Sequence, residues 1–113
     1  MMVIRDALPF EELRQMAARM FGDMVKAVVD IDRELMAVDA ELHADLEALL
    51  LEDGSEQKML WGINLYPDVS GDQWIEFDSM INMRPSQGNR SRGVADEAIR
   101  KQIVAVVGRR IAR

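Results

Sequence analysis

The chain has 113 residues and a mass of 12.8 kDa, so residues 1–113 are expected to form a single domain. It contains no cysteine, which excludes disulfides, thiol nucleophiles and cysteine-ligated metal centres, and its one histidine, His43, excludes a metal site with two or more histidines from one chain. No apolar run is long enough to span a membrane, and the N-terminus lacks the pattern of a signal peptide. We therefore expect a cytoplasmic protein with no membrane partner.

Charge is distributed unevenly along the chain, whose formal net charge is −6. Residues 1–83 carry 6 Lys and Arg against 18 Asp and Glu, a net charge of −12, whereas residues 84–113 carry 8 against 2, a net charge of +6. Blocks of opposite sign should attract each other, either within one molecule or across a homodimer. Because most of the chain would repel phosphates, nucleic acid is not an expected partner.

Two segments have the apolar periodicity of amphipathic helices. The first runs from about residue 9 to residue 21, with Pro9 at its start and Gly22 just after its end. The second is a terminal helix for which Asp96 is the expected N-cap. Their apolar stripes are formed by Leu13, Met16, Ala17, Met20 and Phe21 in the first helix, and by Ile99, Ile103, Val106, Val107 and Ile111 in the second.

Several other segments have the composition of β-strands. After a short first strand at residues 3–4, residues 24–31 and 34–38 are rich in β-branched and apolar residues and predict a hairpin. Pro67 ends a further strand over residues 60–66, and the alternation over residues 74–83 predicts another.

Residues 41–51 carry two conflicting signals. Their Ala, Glu and Leu content favours a helix, but residues 41–48 alternate polar and apolar without exception, which is typical of a half-buried strand. A strand here could pair with residues 60–66 through the Asp53-Gly54-Ser55 turn, so we predict a strand and keep the helix as the alternative.

Together these elements predict an α+β fold, in which an antiparallel, meander-like sheet of about five to six strands carries two amphipathic helices on one face. The opposite face would then be an open polar surface. It would present Glu41, His43, Asp45, Glu47, Asn64, Tyr66, Glu76, Asp78, Asn82 and Arg84.

This open face is a candidate metal site. Residues at i and i+2 of a strand point the same way, so His43 with Asp45 or Glu47, together with Asp78, could bind one divalent ion. One imidazole with carboxylates suits Mg²⁺, Mn²⁺ or Fe²⁺. The alternative is an ordinary solvated face.

The segment from Arg84 to Gly93 is a candidate anion site, because it combines arginines with glycines and precedes a helix N-terminus. The candidate ligands are Arg84, Gln87, Asn89, Arg90 and Arg92. Alternatively, these arginines pair with the acidic part of the chain and hold the last helix in place.

Three runs carry a resemblance to a known family: residues 41–45, 60–67 and 82–93. With them the chain resembles a family of short prokaryotic proteins grouped as a domain of unknown function. The resemblance implies a stand-alone cytoplasmic protein and no particular activity, cofactor or site residue.

The function predicted from the residues is a binding module for a small anionic ligand, phosphate or carboxylate, that uses the Arg84–Gly93 loop. One alternative is a metal-dependent enzyme acting on a phosphate-containing substrate through His43 and Asp45. The other is a protein–protein interaction or homodimerisation module.

Overall fold

The computed structural model describes residues 1–113 and contains three α-helices and a five-stranded antiparallel sheet, so the predicted α+β class is confirmed. The strands of the sheet are in the order β1-β4-β3-β5-β6, and β2 and β7 form a separate parallel pair. The strands are β1 (Met2–Ile4), β2 (Leu8–Pro9), β3 (Val25–Asp30), β4 (Leu35–Val38), β5 (Leu60–Leu65), β6 (Ile75–Glu76) and β7 (Ile111–Ala112), and the helices are α1 (Phe10–Met20), α2 (His43–Glu52) and α3 (Glu97–Arg110).

Strand order differs from the predicted meander. The β3–β4 hairpin is confirmed, but the first strand returns to pair with β4, and β5 pairs with β3. The hairpin turn is stabilised by Asp30, whose Oδ1 accepts hydrogen bonds from the backbone N–H groups of Asp32 and Arg33, both at 2.9 Å. Glu34 then adopts a left-handed conformation with φ of 56°. The carboxylate of Asp30, at the end of β3, therefore stabilises a hairpin turn that contains no glycine.

The two predicted helices, α1 and α3, pack together on one face of the sheet, as expected. Asp96 caps α3, accepting a hydrogen bond at 2.8 Å from the N–H of Ala98. None of the three helices has the length and the apolar character that a membrane-spanning helix requires. The core on this face contains Leu13, Met16 and Ala17 from α1, Ile103, Val106 and Val107 from α3, and Ala27, Val29, Met36, Val38, Ile63 and Leu65 from the sheet.

The predicted strand over residues 41–51 is wrong, because His43–Glu52 forms the helix α2. Leu46 and Leu50, one turn apart, are fully buried against Val28, Ala37 and Leu60 on the opposite face of the sheet. The burial of these leucines and the helix propensity of the segment both favour a helix. Together, these two effects outweigh the polar/apolar alternation that suggested a strand. The open acidic face predicted from the strand is therefore covered by a helix.

The predicted strand over residues 74–83 is wrong beyond Glu76. The chain leaves β6 after two residues, and a short 3₁₀ turn at Met80–Asn82 follows. Asn82, expected on the polar face, is fully buried, and its side-chain amide forms hydrogen bonds to both the N–H and the carbonyl of Gly62, at 2.8 and 2.9 Å. An amide side chain thus replaces the strand backbone along this edge of β5.

Replacing Gly62 with alanine should destabilise the protein. A Cβ at this position would lie 2.5 Å from the Cβ of Ser79, so the segment after β6 would have to move away from β5. We expect a loss of about 1–3 kcal/mol in the free energy of unfolding, measured by urea denaturation. Gly108→Ala in α3 is the control, because nothing lies within 4 Å of its Cβ position. It should stabilise the protein by about 0.5–1 kcal/mol, and a Gly62→Ala variant as stable as this control would contradict the packing argument.

The C-terminal end of α2 is tied to the sheet by charged side chains. Arg33 donates to the Asp53 carboxylate at 2.8 Å and to the Ser55 hydroxyl at 3.0 Å, and Ser55 donates to the buried carboxylate of Asp30 at 2.6 Å. Arg5, after β1, pairs with the second oxygen of Asp53. The two guanidinium groups lower the pKa of Asp53 from its ordinary value of 3.8.

These ion pairs predict a specific acid sensitivity. Because the pKa of Asp53 is lower in the folded state, its contribution to stability is present above pH 3.8 and is lost as the pH falls through the folded-state pKa. Asp53→Asn should therefore lower stability at neutral pH and reduce the further loss on acidification, measured as urea midpoints across the acid range. Asp72→Asn, at an exposed carboxylate, is the control. An unchanged acid profile in Asp53→Asn would contradict the role of these pairs.

Candidate functional site

The basic segment 84–93 is folded against β5 and is not an open loop. The Arg84 guanidinium donates to the carbonyls of Gln57 and Leu60, both at 2.6 Å, and lies 4.1 Å from the ring centroid of Trp61. Burial lowers the pKa of Arg84 from its ordinary value. This predicted anion ligand is thus used to complete the edge of the sheet.

Asn89, a second predicted anion ligand, is 4% exposed and organises the segment from within. Its Nδ2 contacts the carbonyls of Asn82, Ser91 and Gly93 at 2.7, 3.1 and 2.8 Å, and its Oδ1 accepts from the N–H of Ala95 at 2.9 Å. Every polar atom of this amide is occupied by the backbone. Asn89 therefore fixes the path of the chain between β6 and α3.

The other three predicted anion ligands have different surroundings. Gln87 and Arg90 are exposed, and Arg90 makes no hydrogen bond or ion pair. Arg92 donates from Nε to the Asp78 carboxylate at 2.6 Å, which leaves its two terminal nitrogens without partners. The five residues predicted as one anion site are therefore not brought to one place.

A groove of about 380 Å³ lies beside this segment, at the N-terminus of α3, and Lys58, Gln87 and Gly88 contribute to its lining. Asp96 also lines it and already accepts a hydrogen bond from the first turn of the helix. An anion approaching this helix end would meet the charge of that carboxylate, so the groove is a poor anion site.

The predicted metal site is not assembled. His43, Asp45 and Glu47 lie on a helix, where residues two apart do not face each other. Asp78 is paired with Arg92. No group of three or more His, Asp or Glu side chains is arranged to hold a metal ion. The metal prediction depended on the strand at 41–51 and loses its geometric basis with it.

A different pocket, of about 200 Å³, lies where the N-terminus of α2 meets the segment after β6. It exceeds the roughly 30 Å³ that one water occupies in the liquid several-fold and is smaller than the 300 Å³ or so at which sites for drug-sized ligands begin. Its size suits a small ion or molecule. We call it the α2 pocket, and it is lined by Lys26, Leu42, His43, Ala44, Ser79, Met80, Ile81 and Arg92.

The helix end at this pocket is uncapped. Leu42 occupies the N-cap position and has no side-chain group to accept a hydrogen bond. The N–H of Asp45 bonds to the carbonyl of Leu42, whereas those of His43 and Ala44 have no partner in the protein. Free N–H groups and the positive end of the helix dipole favour an anion at this position.

Two cations line the same pocket. Lys26, the second residue of β3, is half-buried and makes no ion pair, and its ammonium lies 5.4 Å from the ring centroid of Phe21. Arg92 approaches from the other side and is held by Asp78 through Nε alone. Ser79 also lines the pocket, and its hydroxyl accepts a hydrogen bond from the N–H of Ile81 at 3.3 Å. Positive groups from three parts of the chain therefore converge on one small cavity.

His43 lines the pocket and is only 8% exposed. Its Nε2 lies 2.8 Å from the carbonyl oxygen of Ile63. Burial, followed by the charges of Lys26 and Arg92, lowers the pKa of His43, although the Ile63 carbonyl and Asp78 act in the opposite direction. The imidazole is therefore mainly neutral at pH 7.

Sequence reasoning missed most of this pocket. Of the predicted anion ligands only Arg92 lines it, and of the predicted metal ligands only His43 does. One usable signal was Lys26, a single cation within an otherwise apolar strand. Another was the absence of Ser, Thr, Asp or Asn at position 42, which marks an uncapped helix only once residues 43–52 are known to be helical.

The structural role of Asn89 predicts that Asn89→Ala destabilises the protein. It would leave buried backbone groups without partners, which costs about 1–3 kcal/mol in the free energy of unfolding, measured by urea denaturation. Arg90→Ala, at the neighbouring exposed position, should change stability by no more than about 0.5 kcal/mol. Equal effects of the two substitutions would contradict the role given to Asn89.

Comparison with known proteins adds a family and no activity. No curated protein and no solved structure matched the chain. One family profile matched residues 2–110, nearly the whole chain, and its description is "Protein of unknown function (DUF5674)". The chain therefore belongs to this family of unknown function, which confirms the resemblance seen in the sequence.

Proposed function

We propose that this protein binds a small oxyanion, a phosphate or a carboxylate, in the α2 pocket. The observation that carries the proposal is that His43 and Ala44, at the uncapped N-terminus of α2, line the same cavity as Lys26 and Arg92. Lys26 is half-buried and Arg92 is exposed, and each can donate charge-assisted hydrogen bonds, which are stronger than those between neutral groups. The pocket thus offers backbone and side-chain donors to one negatively charged group.

The proposal keeps the class of ligand predicted from the sequence and moves its site. Arg84 donates from its two terminal nitrogens to backbone carbonyls, Asn89 binds backbone through its whole amide, and Arg90 lies exposed without a partner. Arg92 is the member of the predicted set that lines a pocket without an acidic cap. In this proposal the Arg84–Gly93 segment positions one arginine, Arg92, at the α2 pocket.

The charges around the pocket favour a small ligand. Asp78 is close enough to hold Arg92, and Asp45 lies in the first turn of α2. These carboxylates repel a ligand that extends beyond the cavity with further negative charge. A compact anion that fits within the roughly 200 Å³ available avoids them.

The test is calorimetric titration with inorganic phosphate and with acetate. The wild-type protein should bind at least one of them, and Arg92→Gln or Lys26→Gln should weaken binding by about tenfold or more, since each removes a charge-assisted hydrogen bond. Arg90→Gln is the matched control, two residues from Arg92 in the same segment, and should bind like the wild type.

Two results would contradict the proposal. One is no binding of either anion by the folded wild-type protein. The other is loss of binding in Arg90→Gln with wild-type binding in Arg92→Gln, which would place the site on the exposed side of the segment. Circular dichroism of each variant separates lost binding from lost folding.

A further inference from the structure

We propose that Nδ1 of His43 accepts a hydrogen bond from a proton that the bound anion itself carries, so that the α2 pocket selects phosphate over sulfate. This inference rests on the proposed function, because it names the class of oxyanion that the same pocket takes. It starts from a ring nitrogen that has no partner in the protein, on a side chain that is 92% buried and lines the cavity.

The tautomer of His43 follows from its contact with β5. A backbone carbonyl can only accept a hydrogen bond, so Nε2, 2.8 Å from the oxygen of Ile63, must carry the proton. In a neutral imidazole the other nitrogen then holds a lone pair. Nδ1 is therefore an acceptor without a partner in the protein, in a pocket whose charged side chains, Lys26 and Arg92, can only donate.

The groups around the ring maintain this neutral state. Lys26 on β3 and Arg92 before α3 disfavour a third positive charge, and burial acts in the same direction. Asp78, after β6, acts in the opposite direction, but its carboxylate is engaged by Arg92. Nδ1 thus stays an acceptor when an anion enters.

Phosphate and sulfate differ in whether the anion carries a proton, and a hydrogen-bond acceptor such as Nδ1 binds the two anions differently for that reason. Both are tetrahedral oxyanions of similar size, and the N–H groups, Lys26 and Arg92 can donate to either. Near neutral pH inorganic phosphate keeps at least one proton, so one oxygen is a hydroxyl that can donate to Nδ1 of His43. Sulfate carries no proton at this pH, so a sulfate oxygen beside Nδ1 would bring two hydrogen-bond acceptors together with no hydrogen between them.

The experiment compares inorganic phosphate with sulfate by calorimetric titration of the wild-type protein, in a mildly alkaline buffer at constant ionic strength. Phosphate is expected to bind about 10- to 100-fold more tightly than sulfate, the range set by one hydrogen bond between a charged and a neutral group. The Arg92→Gln variant should lose affinity for both anions, because the guanidinium of Arg92 can donate to phosphate and to sulfate alike.

The His43→Phe variant keeps a ring and removes the acceptor. It should lower phosphate affinity to that of sulfate while leaving sulfate affinity unchanged or higher. Because this variant also removes the donor to Ile63, its folding is checked by circular dichroism, and if it is unfolded the wild-type comparison alone decides.

The outcomes separate this inference from the proposed function. Equal affinity for phosphate and sulfate overturns the role of His43 and leaves anion binding standing. Binding of neither anion overturns the proposed function. A phosphate preference that survives in folded His43→Phe also overturns the inference, because the discriminating acceptor must then be another group.

Discussion

The outer edge of β5 is the constraint on which the other parts of the structure depend. Its inner edge pairs with β3 over six residues, but β6 covers only two residues of the outer edge. The remaining backbone groups are buried and need partners. Asn82 binds both the N–H and the carbonyl of Gly62, and Arg84 binds the carbonyl of Leu60. Side chains thus form the hydrogen bonds that a neighbouring strand would otherwise form.

This edge also determines where the α2 pocket lies. Asn82 and Asn89 fix the path of the segment between β6 and α3, and this path gives Arg90 and Arg92 different surroundings. Both are exposed, but Arg92 pairs with Asp78 and lines the pocket, whereas Arg90 has no partner. The proposed anion site is therefore a consequence of how a buried sheet edge is satisfied.

Helix α2 is held unequally at its two ends. At its C-terminus, Asp53 and Ser55 bind Arg33, and through Asp30 the contact reaches the β3–β4 turn. At its N-terminus no side chain caps the backbone, and the nearby side chains are Lys26 and His43. An end left without a cap costs stability unless water or a ligand provides the missing acceptor. This asymmetry is what gives the pocket its proposed chemistry.

Two arginines of the basic C-terminal segment form ion pairs with carboxylates of the acidic remainder of the chain. Arg92 pairs with Asp78, Arg109 pairs with Glu34, and Arg110 donates to the carbonyls of Asp6 and Glu34. The other six Lys and Arg side chains of residues 84–113 form no ion pair, so most of the charge of this segment is not paired within the molecule. Opposite charges far apart in the chain act here as long-range contacts between α3 and the hairpin.

The sequence by itself determined the α+β class, helices α1 and α3, the β3–β4 hairpin and strand β5. Each has a local signal: an apolar stripe, a cap at Asp96, or a β-branched run ended by Pro67. Tertiary structure alone decided that residues 43–52 are helical, because the alternation and the propensity conflict until the second sheet face is there to bury Leu46 and Leu50. It also decided that Arg84 and Asn89 bind backbone while Lys26, His43 and Arg92 meet at one pocket. Residue type states what a polar side chain can bind, but which partner it binds depends on the buried groups that the fold leaves unpaired.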